Sequence, residues 1–580
     1  MNEDRSLVRE LGLAECVTIT AGAVIGVGLF TVGSSQVGIM GSSVIVASII
    51  AFILVLWPSA IYGELGATLP LAGGTYSYAK RAINWPVAIF CSWHYTLAQI
   101  GIAGGEALAF ANYFNYLIQA FGSHVMIDTR ISATALMLFF TFINYRGIKI
   151  SGKLQNAFMF WFWGASMVWF IMELKNINFA NYVSVVGGLP PEFNAFAKCI
   201  VMVWWCFAGF ETCAGMGAEV KYPQITLPRA LTIAPFGVFA VNALWQFFLV
   251  GITPLASQSA LIASNAPFIE GMKAAGIAGF PIILLCLAVT LGGDFSTMIP
   301  CTGGAARYLY IMALDGCFPK VFSKVHPKYR SPHVACLTVG IVGVVFILTN
   351  SIVIVSAMCA FSQMLCYIIG YISYLMLYKK EPDLERPYHV PAGKFGAWFS
   401  IVTYAALAIL AIDWSAIWYN IGLSVLCILY IIFGVIIPKK PIPQEAIDEE
   451  LLAMKTAKPS PEEMAELDRQ YKRWRILSTL AFLLGCVMFA IGFIMSSPVR
   501  SEYYSILGSG IPCIGVIKSA ANTGTMIRRS GFAAEIAAAN AQFRRDLIAD
   551  FQAEIIEYSS AAAASIRSKI NSFMDSVTAR

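Results

Sequence analysis

An all-α polytopic membrane protein is the fold class this sequence predicts, on three observations: its composition, the recurrence of long apolar runs, and the basic residues placed between them. Of 580 residues, 58% are hydrophobic and 12% charged, with a mean hydropathy of +0.70, where a soluble domain carries about 25% charge. A soluble core cannot absorb that much apolar surface. A hydrocarbon slab about 30 Å thick asks for about 20 apolar residues per helix, and such runs recur along nearly the whole chain.

Taken in order, the apolar runs place spans at 13–33, 41–63, 86–118, 131–145, 154–174, 197–219, 230–252, 279–313, 334–349, 352–378, 396–413 and 416–437. Eighteen lysines and arginines fall in one set of alternate loops and four in the other. That asymmetry predicts a cytoplasmic N-terminus and an even number of spans up to residue 438. It also accounts for the net charge of +6 without a nucleic-acid partner. Met1 to Glu10 mix acids with bases and lead into an apolar run without an A-x-A site, so no cleaved signal peptide is expected. Most of the fourteen cysteines sit singly inside apolar runs, as Cys16, Cys91, Cys206, Cys286, Cys366 and Cys427 do. With no C-x-x-C pair, neither a disulfide framework nor a metal site is indicated. No nucleophile motif speaks for an enzyme, and no cofactor is expected.

After Pro438 the composition changes. Pro441, Pro443, Pro459 and Pro461 punctuate a charged stretch, so 439–475 reads as a cytoplasmic linker holding at most one short helix. The run 476–497 is long enough to span, whereas 503–517, with two glycines and a proline, reaches about 22 Å at 1.5 Å per residue. Arg528, Arg529, Arg544 and Arg545 favour a cytoplasmic tail, which makes 476–519 an extra membrane hairpin. Residues 520–580 form a tail with an amphipathic helix signal, Phe543, Leu547, Phe551, Ile555 and Tyr558, then Ile566, Ile570, Phe573 and Val577 recurring every three or four positions. Such a helix packs on the protein or the membrane surface, or mediates self-association.

Two spans are interrupted by small residues in corresponding places. The first carries Gly22, Gly26 and Gly28 within seven residues. The sixth carries Phe207-Ala208-Gly209-Phe210-Glu211, then Gly215 and Gly217. Glycine weakens a helix interior, and unwound backbone at membrane depth is tolerated only where it is buried or lines a cavity. A pair of such breaks points to a solute site in a transporter. Unwinding frees N–H groups at one half-helix and carbonyls at the other, with dipole ends of opposite sign. A zwitterionic amino acid carries the matching charges: its carboxylate is placed on the N–H groups around Ile25, Gly26, Val27 and Gly28, and its ammonium on the carbonyls around Phe207, Ala208, Gly209 and Phe210. The competing reading is close helix packing, since Gly22 and Gly26 have G-x-x-x-G spacing.

At these residues the chain resembles the amino acid, polyamine and organocation permease superfamily, over nearly all of residues 10–438. Gly22 to Phe30 is similar to the family's G-x-x-I-G-x-G-[IL]-F motif. Glu64, with Pro70, Gly73, Gly74 and Tyr76, resembles its second-helix signature, and Asn144 to Lys149 with Gln155-Asn156 the turn between spans four and five. Glu219, Pro223, Pro228 and Arg229 follow the sixth-helix block, and Arg307, Ala313 to Pro319, Glu381-Pro382-Asp383 and Arg386-Pro387 complete the order. The resemblance implies a LeuT-like fold: a 5+5 inverted repeat with two further core helices in residues 1–438, and the C-terminal extension lying outside it. Some proton-coupled members carry a lysine in the fifth span. Here that position falls near Phe162, with no basic residue in the span, so lysine-mediated coupling is not expected: either Asp294 replaces it with a different coupling logic, or the protein exchanges one solute for another without an ion.

Ionisable residues inside spans are expensive and functional by default. Asp294, about 20 Å down the eighth span, is the candidate for a proton or cation; its alternative is a carboxylate satisfied by Ser296 or Thr297. Glu211 sits where a new helix begins and is expected to cap it. Glu106, His94 and Trp204 are candidates for the cavity wall, with hydrogen-bonded or packing roles as the alternatives. The function implied is secondary active transport of an amino acid or related small amine in the cell (inner) membrane, by symport or exchange with proton or sodium coupling. The alternative is a permease-fold nutrient sensor signalling through its C-terminal tail.

Overall fold

The computed structural model describes residues 7–26, 28–182, 193–348, 352–412, 417–438 and 458–495. Regular structure among them is helical, apart from isolated bridges joining Leu11 to Val220 and Ala72 to Met216. A helix stands at each of the twelve apolar runs: α1 Leu13–Gly22, α2 Ser43–Thr68, α3 Trp85–Ala120, α4 Thr129–Tyr145, α5 Ile148–Glu173, α6 Phe193–Trp204, α7 Pro223–Ile252, α8 Phe280–Leu314, α9 His333–Leu348, α10 Ile352–Lys380, α11 Gly393–Leu410 and α12 Ile417–Ile436. By length and composition, seven of the described helices are apolar enough to cross a membrane unaided.

Local chemistry starts and bends these helices. The Asn84 side chain accepts the Val87 N–H at 3.0 Å to cap α3, and Asp128 accepts that of Arg130 at 2.8 Å to cap α4, each filling an orphan donor of the first turn. Pro223 opens α7, where its missing N–H costs nothing; Pro58 in α2 and Pro228 and Pro235 in α7 lie inside helices. The helices divide into a centre and a rim. In α7, 89% of the apolar window is buried, against 22% in α12. Trp398, Ile341, Trp418 and Phe433 face outward from α9, α11 and α12, as side chains solvated by lipid do.

Beyond α12 a further helix, α13, runs unbroken from Pro461 to Met495, crossing the boundary at 475 that composition suggested. Its start is a capping box: Ser460 N–H donates to Glu463 Oε2 at 2.8 Å and Glu463 N–H to Ser460 Oγ at 3.2 Å. Its charged first half escapes a hydropathy reading because only one stripe is apolar. That stripe, Leu467 and Tyr471, joins the core cluster of Leu11, Leu13, Val17, Leu227 and Ala230, and Asp468 accepts from buried Arg229 at 2.8 Å. Farther along, Phe482 packs on Phe52, Phe236 and Phe239, and Gly485 lies against Ala240. The second limb of the expected hairpin and the amphipathic tail lie outside the described residues.

Candidate functional site

α1 stops at Gly22 because the residues after it cannot keep the ladder. Ala23 N–H still reaches Ile19 O at 2.9 Å and Ile25 N–H reaches Ala21 O at 3.1 Å. The chain then turns at Gly26 and resumes as a π-helical turn, Gly28–Gly33. No hydrogen bond between described residues uses the N–H of Gly26 or Gly28; Val27 lies outside the described residues. The carbonyls released on the other side of the break go to one hydroxyl: the single proton of Thr297 Oγ1 in α8 is shared between Gly22 O at 2.7 Å and Ile25 O at 2.8 Å. Gln155 of α5 donates to Thr18 O at 2.9 Å, so the motif Gln155-Asn156 serves to hold α1.

The sixth helix breaks in the same way. α6 ends at Trp204, a 3-10 turn covers Trp205–Phe207, Ala208 is extended, and Gly209 has φ +109°. A side chain is excluded there twice over, by that φ and because a Cβ would lie 2.6 Å from Ala23 O. Gly209 N–H donates to the Tyr367 hydroxyl of α10 at 2.8 Å. No hydrogen bond between described residues ends on the carbonyls of Phe207, Ala208 or Phe210. The two breaks meet: Cys206 Sγ donates to Gly28 O at 3.1 Å, and Trp205 lies so near Gly28 that a Cβ there would be 3.1 Å from its ring.

The acids around the breaks are arranged differently from the sequence expectation. Glu211 occupies the N-cap position of the short helix Thr212–Gly215, but its side chain makes no cap bond. It faces α10, accepting Gln363 Nε2 at 2.5 Å and the Tyr367 hydroxyl. Asp294, fully buried, closes a π-helical turn at Val289–Asp294. Its neighbouring hydroxyls do not satisfy it: Ser296 donates to Gly293 O at 2.9 Å, and Thr297 is committed to α1. Neither Asp294 oxygen receives a hydrogen bond among the described residues, and the group facing it is the Glu106 carboxyl of α3. Glu106 in turn stands against Gly26, whose Cβ would strike its carboxyl. Asp294 is therefore level with the first break.

His94 and Trp204 are not brought to the breaks. His94 lies between Ser362 of α10 and Ser424 of α12, both at 3.0 Å. The Trp204 indole donates to the Tyr404 hydroxyl of α11 at 3.1 Å. Phe162 packs edge-on to Phe30 at 6.0 Å and touches Gly292. Sequence reading missed Gln363 and Tyr367, and named Thr297 only as a partner for Asp294. Nothing in one sequence reports which faces of α8 and α10 turn toward the breaks.

At one end of the bundle, which we call the basic end for its loops, the recognised motifs close on one another. Arg307 donates to Glu219 through Nε at 2.7 Å and Nη2 at 2.9 Å, both side chains fully buried. Gly73 N–H donates to Gly215 O at 2.9 Å. Glu64 accepts Val390 N–H at 2.7 Å and the Tyr374 hydroxyl at 3.1 Å, tying α2 to the loop after α10. At the opposite end, Thr31 donates to Asn265 O at 3.2 Å and Phe268 packs on Phe30 at 5.5 Å.

Two interrupted helices facing each other inside a helical bundle are the architecture of a membrane transporter. The chain belongs to the amino acid permease family, whose profile matches residues 11–436. It is 21% identical to the branched-chain amino acid permease BcaP of Bacillus subtilis (strain 168) over 444 residues, 73% of this chain and 93% of that protein. It is 22% identical to the methylthioribose transporter of the same organism, over 67% of this chain and 86% of that one. With the large neutral amino acids transporter small subunit 2 of Homo sapiens it shares 24% identity, over 66% of this chain and 72% of that one. This is a multi-pass integral membrane protein of amino acid or small-solute transport, not an enzyme.

Proposed function

We propose that the protein is a secondary carrier for an amino acid or closely related amine, working by alternating access in the cell membrane with its basic end in the cytoplasm. The solute carboxylate lies on the N–H groups around Gly26 and Gly28, its ammonium on the carbonyls of Phe207, Ala208 and Phe210, and Asp294 couples the cycle to a proton. The observation that carries this reading is the opposition of the two breaks, one with unused donors, the other with unused acceptors. Binding between them satisfies buried backbone groups that otherwise stay costly. The LeuT-like 5+5 repeat is part of the proposal, supported by breaks in the first and sixth helices. So is the orientation, supported by the eighteen-to-four distribution of basic residues.

The contacts that close the basic end are ion pairs and backbone bonds between separate elements, which separate as units without unfolding a helix. Two carboxyls shut from water beside each other are ill suited to carry two charges, so a proton held at Asp294 and Glu106 is the natural coupling species where Phe162 replaces a lysine. Reconstitution into liposomes tests this. Uptake of labelled amino acids against a gradient, driven by an inwardly directed proton gradient and lost in D294N, is the expected result. Uptake driven equally by sodium or by an internal amino acid, with D294N unchanged, would overturn the coupling role. Absence of uptake for any amino acid or amine would overturn the carrier.

A further inference from the structure

Glu106 stands on ground that the solute carboxylate needs. Its two oxygens and carboxyl carbon are the three atoms a Cβ on Gly26 would meet first, and the side chain is 2% exposed. Asp294 faces it from the π turn of α8, with no hydrogen-bond donor on either oxygen among the described residues. π turns inside α-helices mark places where a side chain is re-aimed for function, and this one delivers Asp294 to Glu106.

We propose that Glu106 is a built-in competitor for the carboxylate of the transported amino acid. Charged, it lies against Gly26 and repels a second anion from the donors there. With one proton added to the Glu106–Asp294 pair, it yields that ground. The proposal rests on the assignment of Gly26 to Gly28 as the carboxylate seat. The charge balance is simple: one proton from the medium forms one O–H bond on the pair and one substrate carboxylate arrives, so the charge at the carboxylate seat is unchanged, while the zwitterion's ammonium on the second break leaves the occupied site one positive charge above the empty one. One proton therefore accompanies one amino acid, and a substrate without a carboxylate gains nothing from it.

Titratable groups near the pair include Cys301 of α8, beside Glu106, and Tyr113 of α3, beside Asp294. Tyr113 donates to Phe30 O at 3.1 Å, and none of these groups brings a positive charge.

The test is binding and uptake of the proteinogenic amino acids and of their decarboxylated amines by reconstituted wild type, E106Q and D294N, on both sides of neutral pH. Amino acid affinity is expected to rise on acidification, approaching about tenfold per pH unit, the limit for one linked proton. The matching amine should show no such rise. E106Q should hold the acid-side affinity for the amino acid at all pH. Amine and amino acid titrating alike in the wild type, a comparison that needs no variant, would overturn the competition while leaving the carrier intact, as would wild-type pH dependence in E106Q. No binding of any amino acid by the wild type would instead remove the carboxylate seat itself.

Discussion

Two buried acids in this protein have opposite company. At the basic end, Glu219 meets Arg307 in a two-pronged pair that no water reaches. At the first break, Asp294 meets another carboxyl and a backbone turn. The first arrangement is complete in itself: each charge cancels the other, and Arg307 Nη1 also donates to Gly303 O at 3.0 Å. The second sets two acids together, and neither Asp294 oxygen receives a hydrogen bond among the described residues. A carrier needs both kinds. The first arrangement fixes the basic end, and the second, on the function proposed above, lets the site respond to what enters it.

The largest expected effect comes from spoiling the complete pair. R307M leaves Glu219 buried without its base and should cost about 3–5 kcal/mol, read as a large fall in the melting temperature of the purified protein in detergent. The double variant R307M/E219M should recover most of that loss. If the single and double variants melt alike, the pair is not what holds this end together.

Next in size is G209A, which brings strain of about 1–3 kcal/mol at a positive φ and a Cβ pressed on Ala23 O. Its damage should appear in transport as well as in melting, because it forces the two breaks apart. Full uptake by G209A would show that their close approach is dispensable.

D294N should reverse the pattern of R307M. Neutralising an acid that has no base removes a burden rather than a partner, so melting should stay within about 1 kcal/mol of wild type or rise, while proton-driven uptake disappears. A destabilised D294N would mean that Asp294 is as complete in the resting protein as Glu219.

The smallest effect belongs to an acid at the surface. Arg81 donates to both Glu381 oxygens at 2.8 and 2.6 Å and holds that carboxyl below its ordinary value. The stability it contributes is present above the ordinary carboxylate value and lost as pH falls through the lowered one. Both side chains are partly exposed, so this amounts to less than about 1 kcal/mol. E381Q should flatten the acid limb of the melting profile slightly; no change at all would mean solvent screens the pair fully.

Hydropathy located the twelve helices of the core because the membrane requirement acts on each run separately. Their ends moved for local reasons. α7 begins at Pro223 rather than near 230 because Gln224, Thr226 and Arg229 make its first turns polar, and α13 begins at Pro461 because a single stripe, Leu467 and Tyr471, was enough to dock it. The breaks were legible too, since Gly22, Gly26, Gly28 and Gly209 disfavour helix wherever they fall.

What the sequence by itself determined, then, was the class of protein, its helices and the two places where they fail, all consequences of side-chain chemistry within one segment. Only the tertiary structure decided what surrounds those failures: Thr297 on the released carbonyls, Tyr367 on Gly209, Phe162 against Phe30 and Gly292, Glu106 against Gly26 and Asp294 beside it. These depend on the rotation and depth of one helix relative to another. A turn of 100° per residue makes neighbours in sequence face different partners, and the choice among them is made by packing across the bundle.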